Sequence, residues 1–493
     1  FRHVDSLSID FHRGLLGAME YGIVSLLPTA LVLALAIKTR RTLESVIAGA
    51  IFAFLIMDGV GFVATLAEVS LSVLRDEDIA WIILVCALYG VFIALLVRSG
   101  GSMAFGRLLL ARLQNKRQSL LTTWVLGLVI FLDDYLNSLT VGATMKAVTD
   151  RFKTSRAMLA YVVDSTAAPL CLLIPISSWG AYFAGLLEKN AVAADGQGLS
   201  LFIESIPYMF YPIIAVLVVP LVVMGIIPRL GAMAKAEALA EETGELGISE
   251  DPSNEMEFGS GGAGTFFIPI AALLYFTIFP VLSLSPSVDL LRGVIAGVIV
   301  TVAYYASLKI MPLSELFDTC TNGIKIMVPV LAMLLALFVF VEANDRIGLT
   351  DYVIQAVKPY MTATWLPVII FITMYAVSFA TGSNWGVIAI AMPVAFPLAE
   401  AYGVSVPLVI GALLSASGFG SHACFYSDST VLSAQGAGCD TYQHAITQLP
   451  YAILSACIAA ICFFVAPEVV ELLGAFAEWL SKTALYAWVG SLL

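Results

Sequence analysis

The chain has 493 residues, 60% hydrophobic and only 12% charged, with a mean hydropathy of +0.94 and a formal net charge of −12. A soluble domain carries about 25% charged residues, so the composition excludes one and points to a polytopic membrane protein. No basic stripe offers a nucleic-acid surface, and the seven cysteines, lacking CxxC spacing, read as small packing residues.

In chain order, residues 1–18 are expected to form a short extracytoplasmic segment. Apolar stretches follow at 19–37, 44–64, 80–98, 118–148, 158–187, 205–228, 264–282, 288–306, 321–341, 362–399, 405–434 and 446–466. Most have at least the ~20 residues a helix needs to cross a bilayer; barrel strands would be about half as long and would alternate. The fold class is therefore all-α. A hydrophilic linker, 229–263, divides the chain, carries much of the negative charge between Glu237 and Glu257, and reads as solvated and cytoplasmic. The stretch 467–493, apolar with Glu468, Glu471 and Glu478, reads as an interfacial helix.

Basic residues set the sides. Lys38, Arg40 and Arg41 follow the first stretch; Arg98, Arg107, Arg112, Lys116 and Arg117 surround the third-to-fourth connection; Arg151, Lys153 and Arg156 follow the fourth; Arg229 and Lys235 open the linker. The positive-inside rule puts all four groups in the cytoplasm. Stretch 118–148 then has both ends on one side and must turn back as a re-entrant hairpin, with Asp133 and Asp134 near its tip. Non-helical backbone at that depth is tolerated only under protein cover or beside a wet cavity.

The halves repeat. Ser45-Val46-Ile47-Ala48-Gly49 returns as Gly293-Val294-Ile295-Ala296-Gly297, Asn137 and Met145 as Asn384 and Met392, and Asp164-Ser165-Thr166 as Asp428-Ser429-Thr430, the last needing an insertion in the second half. Residues 19–228 hold five crossings plus the hairpin. Five is odd, so the copy in 264–466 must be inverted. The predicted architecture is two inverted-topology repeats of five spans plus a re-entrant helical hairpin each, with broken helices at the midplane. That arrangement is the sequence pointer to a secondary transporter.

An ionised Asp at the bilayer centre costs about 2.5–3.5 kcal/mol on insertion scales, so intramembrane aspartates face a cavity or a partner. Asp133, Asp134 and Asn137 cluster, and Thr140 and Thr144 continue the face of Asp133 and Asn137 if the segment is helical. Hard oxygen ligands suit an alkali cation or a proton better than zinc. Asp134 and Asn137 are the expected Na+ ligands. Asp164, Ser165 and Thr166 precede Pro169 and Pro175 at a helix break, and Asp428, Ser429 and Thr430 repeat the motif; these join the expected ion and proton shell. Ser177, Ser178 and Trp179, with Thr381, Gly382, Ser383, Asn384, Trp385 and His422, are the expected solute-facing residues. Asp58 marks either a site or a helix break. No cofactor is implied beyond Na+ and H+ as coupling ions.

These stretches resemble a known family. "FLDDYLNSLTVGATMKAVTDRFKTSRAMLAYVVDSTAAPLCLLIPISSW" resembles the signature region of NhaC-type sodium/proton antiporters, in the ion transporter superfamily, and "TGSNWG" with "SDSTVLSAQGAGCDTYQHAITQLPYA" resembles its second-half signature. The resemblance spans roughly residues 20–466. It implies an inverted-repeat fold with paired hairpins, exchange of sodium for protons, a bacterial or archaeal plasma membrane, and a homodimer. Some relatives move organic acids such as malate and lactate, or amino acids. The chain departs from the pattern at Ser421, where an acidic residue is expected, and at Cys424-Phe425, where Ser-Pro is expected. Fewer acids and an added aromatic suit a bulkier, less charged solute.

Two readings stand. One is a Na+/H+ exchanger using Asp133 and Asp134 in alternation. The other is a Na+- or H+-coupled carrier of an amino acid or carboxylate, held between Ser177–Trp179 and Thr381–Trp385. An intramembrane aspartyl protease needs two carboxylates sharing a proton, and adjacent helical residues point about 100° apart.

Overall fold

Apolar helices too long for a soluble core dominate the chain, and polar caps decide where each begins. The computed structural model describes residues 21–466 except 40, 102–103, 106–107, 109–111, 132, 176, 195, 248–260, 280–288 and 383–385. Segments 1–18 and 467–493 lie outside the described residues, as do Ser383, Asn384 and Trp385. The helices are α1 (Leu27–Thr39), α2 (Thr42–Asp58), α3 (Phe62–Arg75), α4 (Glu77–Arg98), α5 (Lys116–Val129), α6 (Asp134–Arg151), α7 (Arg156–Ser165), α8 (Ala168–Leu173), α9 (Ser178–Lys189), α10 (Gly198–Ser205), α11 (Phe210–Met224), α12 (Gly231–Thr243), α13 (Gly264–Ile278), α14 (Leu290–Ser307), α15 (Leu313–Arg346), α16 (Leu349–Val357), α17 (Leu366–Thr381), α18 (Gly386–Tyr402), α19 (Val406–Ala423), α20 (Asp428–Ala437) and α21 (Thr441–Phe464). Among the described residues, seven helices are long and apolar enough to cross a membrane, and a pair bent by 53°, Gly198–Tyr208 with Phe210–Met224, makes an eighth. The protein is an all-α, multi-pass membrane protein.

The predicted spans differ from the helices where polar residues intervene. Stretch 118–148 is two helices, α5 and α6, joined through 130–133, and its two ends meet: Lys116 Nζ donates to Lys153 O at 3.1 Å. Stretch 405–434 is broken between Ala423 and Asp428, and stretch 362–399 between Thr381 and Gly386. Asp58 ends α2 at a turn of 3-10 helix, Gly59–Gly61, with its side chain exposed, so it marks a helix break. Helix α15, at 34 residues, rises about 51 Å, well beyond the ~30 Å hydrocarbon core.

Caps place the breaks. Asp133 caps α6, Ser155 caps α7, Ser177 caps α9 and Ser427 caps α20, each accepting a hydrogen bond from a free N–H of the first turn. Ser177 and Ser427 are further alike: each hydroxyl donates at 2.6 Å to the carbonyl six residues earlier, Cys171 O and Ser421 O. The element order therefore sets the break before Ser178 against the break before Asp428. Asp164 lies near the end of a helix whereas Asp428 begins one, so the two Asp-Ser-Thr motifs do not occupy equivalent places in their helices.

The helices sort into two groups, each drawing on both halves. Helix α15 runs along α4 and α2, with α13 and α14 packed on each other and α14 on α4. In the other group, α5–α11 pack with α17–α21. Here α6 and α20 cross at glycines. A Cβ on Gly142 would lie 2.5 Å from Gly436 C, and one on Gly436 would lie 2.2 Å from Ser138 O. Beside that crossing the Ser138 and Ser433 hydroxyls bond at 2.9 Å. Small residues with one polar pair are how helices associate where apolar burial gives no net driving force. The exterior is apolar, with Ile299, Phe317, Val328 and Ile461 well exposed, as a lipid-facing surface requires.

The linker reads differently from the solvated loop expected. Its first part folds as α12, with Met233, Glu237 and Ala240 buried, while 248–260 lie outside the described residues. Lys116, Lys153 and Arg229 all reach α12, so three of the basic groups gather at one end of the molecule, consistent with a shared side.

Candidate functional site

The polar centre forms where both helix-break systems converge. Asp133, in extended backbone, turns its carboxylate onto Tyr135 N (2.9 Å) and Leu136 N (3.2 Å), which fixes the first turn of α6. Asp134 is thereby the first helical residue, 1% exposed. Its Oδ1 accepts from Trp179 Nε1 at 2.9 Å, and its Oδ2 has no partner. The face predicted for Asp133 with Asn137 belongs instead to Asp134 with Asn137, one helical turn apart.

Asn137 serves two ends. Its amide nitrogen lies 2.8 Å from Gly127 O, 2.9 Å from Ile130 O and 2.8 Å from Thr166 O. The first two are carbonyls that the end of α5 leaves free, and the third belongs to the turn after α7, so the side chain ties the hairpin to the broken span. Its Oδ1 is buried without a partner, as is Thr140 Oγ1. One carboxylate oxygen, one amide oxygen and one hydroxyl on the first two turns of α6 are thus unsatisfied. Buried polar atoms are nearly always paired, and an unpaired group is costly. The three are hard oxygen donors within two turns of one helix, the donor type that suits an alkali cation.

A second cluster centres on Asp164, fully buried. Ser429 Oγ donates to Oδ1 at 2.6 Å; Gln448 Nε2 (2.7 Å) and His444 Nε2 (3.1 Å) reach Oδ2. Tyr135 OH donates to Asp428 Oδ2 at 2.7 Å, linking the hairpin of the first half to the broken helix of the second. His422 lies between Ser165 Oγ (2.8 Å, at Nε2) and Tyr211 OH (2.6 Å, at Nδ1), and Gln448 Nε2 also contacts His422 O. Thr166 Oγ1 and Thr381 Oγ1 bond back to their own helices, and the Thr430 and Ser427 hydroxyls lie 2.9 Å apart.

Of the residues expected to face a solute, Ser177 is a helix cap and Trp179 is fully buried on Asp134. Ser178 opens α9. Gly382 adopts φ +70°, where a Cβ would meet the Tyr426 ring at 2.8 Å, and Tyr426 OH donates to Ala380 O at 2.5 Å. Trp179 on Asp134 and Tyr426 on Ala380 thus each tie one helix break to another. Sequence reasoning missed Tyr135, Tyr211, His444 and Gln448. His444 and Gln448 carried a signal, being two polar residues four apart at the start of an apolar stretch, and so on one helix face.

A model of the Na+/H+ antiporter family matches residues 170–466. The chain belongs to the Na+/H+ antiporter family. This antiporter-family chain is also 30% identical over 494 residues to an uncharacterised protein of Haemophilus influenzae, covering 93% of this chain and 94% of that one. It is 38% identical over 88 residues to the malate-2H(+)/Na(+)-lactate antiporter of Bacillus subtilis, 18% of this chain and 19% of that one. Membership places the chain among transporters rather than enzymes.

Proposed function

We propose that the protein is a secondary active transporter of a bacterial or archaeal plasma membrane, exchanging Na+ for H+ by alternating access, with Asp134 as its central cation ligand. The observation that carries this reading is the set of unsatisfied buried oxygens, Asp134 Oδ2, Asn137 Oδ1 and Thr140 Oγ1, at the start of α6. A carboxylate taken out of water with only a neutral donor, the Trp179 indole, is unfavourable until a counter-charge arrives. Na+ supplies that charge from outside the protein and a proton removes the need for it. Competition for one carboxylate is then the exchange. Asp164, with Ser429, His444 and Gln448 around it, and Asp428, with Tyr135, form the second polar shell. We read the series α5 to α11 and α17 to α21 as inverted repeats: hairpin, broken span and a further span in each. The sorting of helices into two groups supports one body moving against the other. The reading includes a homodimer in the bilayer.

A second reading rests on a specific observation. The Bacillus subtilis relative is named for malate and lactate as well as Na+, and the 421–425 stretch of this chain, Ser421 to Phe425, lacks the acid and the Ser-Pro of the Na+/H+ pattern. It makes the protein a Na+- or H+-coupled carrier of a carboxylate or amino acid with the same ion site. Purified protein in liposomes separates the two. Under an imposed Na+ gradient, proton movement without organic solute supports Na+/H+ exchange. Silence until a malate, lactate or amino-acid gradient is added supports the carrier and overturns the first reading.

A further inference from the structure

Glu237 belongs to the hydrophilic linker, yet it is fully buried. A buried carboxylate is unfavourable unless it is paired, and this one is held from two sides. Ser155 N donates to Oε1 at 2.8 Å, and Lys116 Nζ lies 2.7 Å from Oε2. Ser155 caps α7 and Lys116 opens α5. One side chain therefore joins the start of the hairpin to the start of the broken span that carries Asp164. The rest of the segment repeats the grip. Glu241 pairs with Lys116 at 3.0 Å and with Arg229 at 2.8 Å, and Lys153 Nζ reaches Glu241 O at 3.5 Å. Arg156 N donates to Leu246 O at 2.8 Å, and Leu230 N to Tyr451 OH at 2.9 Å. Apart from Arg229, which belongs to the linker itself, these partners lie on α5, on α7, on the turn between α6 and α7, and on α21, all in the helix group that holds Asp134 and Asp164.

We infer that the linker helix α12 is a strap on the ion-carrying body, and that Glu237 is a positioning residue for the cation site. It locks the hairpin that carries Asp134 against the span that carries Asp164, so that both move as one. The inference rests on the transporter reading above and assigns the linker to the moving body rather than to the helices around it. An unfastened hairpin keeps its ligands but loses their register, which is felt as weaker cation binding rather than as a slower step.

The test is Na+-driven proton movement in liposomes with Glu237→Ala and Glu237→Gln. The half-saturating Na+ concentration is expected to rise roughly fivefold or more in Glu237→Ala, the usual size of coupling between linked sites, with the maximal rate per folded molecule kept. Glu237→Gln, which retains an oxygen for Ser155 N, is expected to fall between. A lowered maximal rate at unchanged half-saturation would mean a merely structural role and would overturn the inference. A cross-link keeps the question open to refutation should Glu237→Ala not fold. Lys153→Cys with Glu241→Cys, with the exposed Cys457 replaced by Ser, is bridged by a short bifunctional maleimide. Transport equal to the unbridged variant is expected; arrest by the bridge would mean that the strap parts from the hairpin in each cycle. If the unaltered protein moves no protons under a Na+ gradient, the exchange reading fails, and the same cross-link read on solute-driven flux still decides the strap.

Discussion

Asp133 and Asp134 are chemically identical neighbours, and the structure gives them different work. Asp133 uses its carboxylate on the N–H groups of Tyr135 and Leu136, a cap that Asn fills nearly as well as Asp. Asp134 accepts one neutral donor and leaves Oδ2 unsatisfied. In Asp134→Asn the Trp179 bond persists, but it falls from a charged bond of about 1.5–3 kcal/mol to a neutral one of about 0.5–1.5. Relief of a buried charge opposes that loss, so folded stability should change by no more than about 1 kcal/mol. The ion loses far more. At an effective dielectric near 20, a unit charge about 4 Å away contributes about 4 kcal/mol, roughly a thousandfold in binding. Na+-driven proton movement by Asp134→Asn is therefore expected to fall below detection while its unfolding temperature stays within a few degrees. Asp133→Asn is expected to transport, and Asp133→Ala to lose about 1 kcal/mol of stability with its cap. The assay is internal pH in liposomes at matched protein incorporation, with thermal unfolding in detergent beside it. Wild-type flux in Asp134→Asn, or a silent Asp133→Asn beside an active Asp134→Asn, would refute the division.

Trp179→Phe removes the single indole N–H that orients Asp134. It should raise the half-saturating Na+ concentration about tenfold, as expected for a hydrogen bond to a charged group; an unchanged Na+ dependence would remove Trp179 from the site. Gly436→Ala puts a methyl 2.2 Å from Ser138 O and should destabilise the α6–α20 crossing by about 1–3 kcal/mol, seen as a lower unfolding temperature; a neutral result would mean that the crossing adjusts freely. Burial raises the proton affinity of Glu241, but hydrogen bonds from Lys116 and Arg229 outweigh it and hold the carboxyl below its ordinary 4.5. A lowered value stabilises the fold above the ordinary one and stops doing so as pH falls through the lowered one. The protection of the amides of residues 231–243, measured relative to the intrinsic exchange rate at each pH, should therefore be high at neutral pH and fall as pH drops below 4.5; protection that stays unchanged on acidification would contradict the ion pairs.

Much of the fold was legible because a membrane forces local signals. A bilayer-spanning backbone must satisfy itself, so long apolar runs mean helices wherever they occur, and basic loops report their side. The hairpin at 118–148 followed from basic residues at both ends, and Lys116 on Lys153 O is the contact that reading requires. Asp134, Asn137 and Asp164 were also visible, since a polar side chain among apolar residues needs a reason. Sequence alone could not divide the labour between Asp133 and Asp134. Capping depends on which residue the chain leaves extended, and here that is Asp133, beside the point where the Asn137 amide meets the carbonyls of α5. Nor could sequence separate the two Asp-Ser-Thr motifs, identical letters that sit at a helix end in one half and a helix start in the other. His444, Gln448 and Tyr135 joined the site only through contacts between residues hundreds apart in the chain, such as Tyr135 with Asp428. Glu237 read as solvated because a charged linker normally is; three-dimensional packing buried it between Lys116 and Ser155. The sequence by itself determined an all-helical membrane protein with carboxylates at broken helices, since those consequences follow from one segment at a time. Which oxygen stays unpaired, and which linker residue fastens the hairpin, only the tertiary structure decided, because each is a property of what lies opposite.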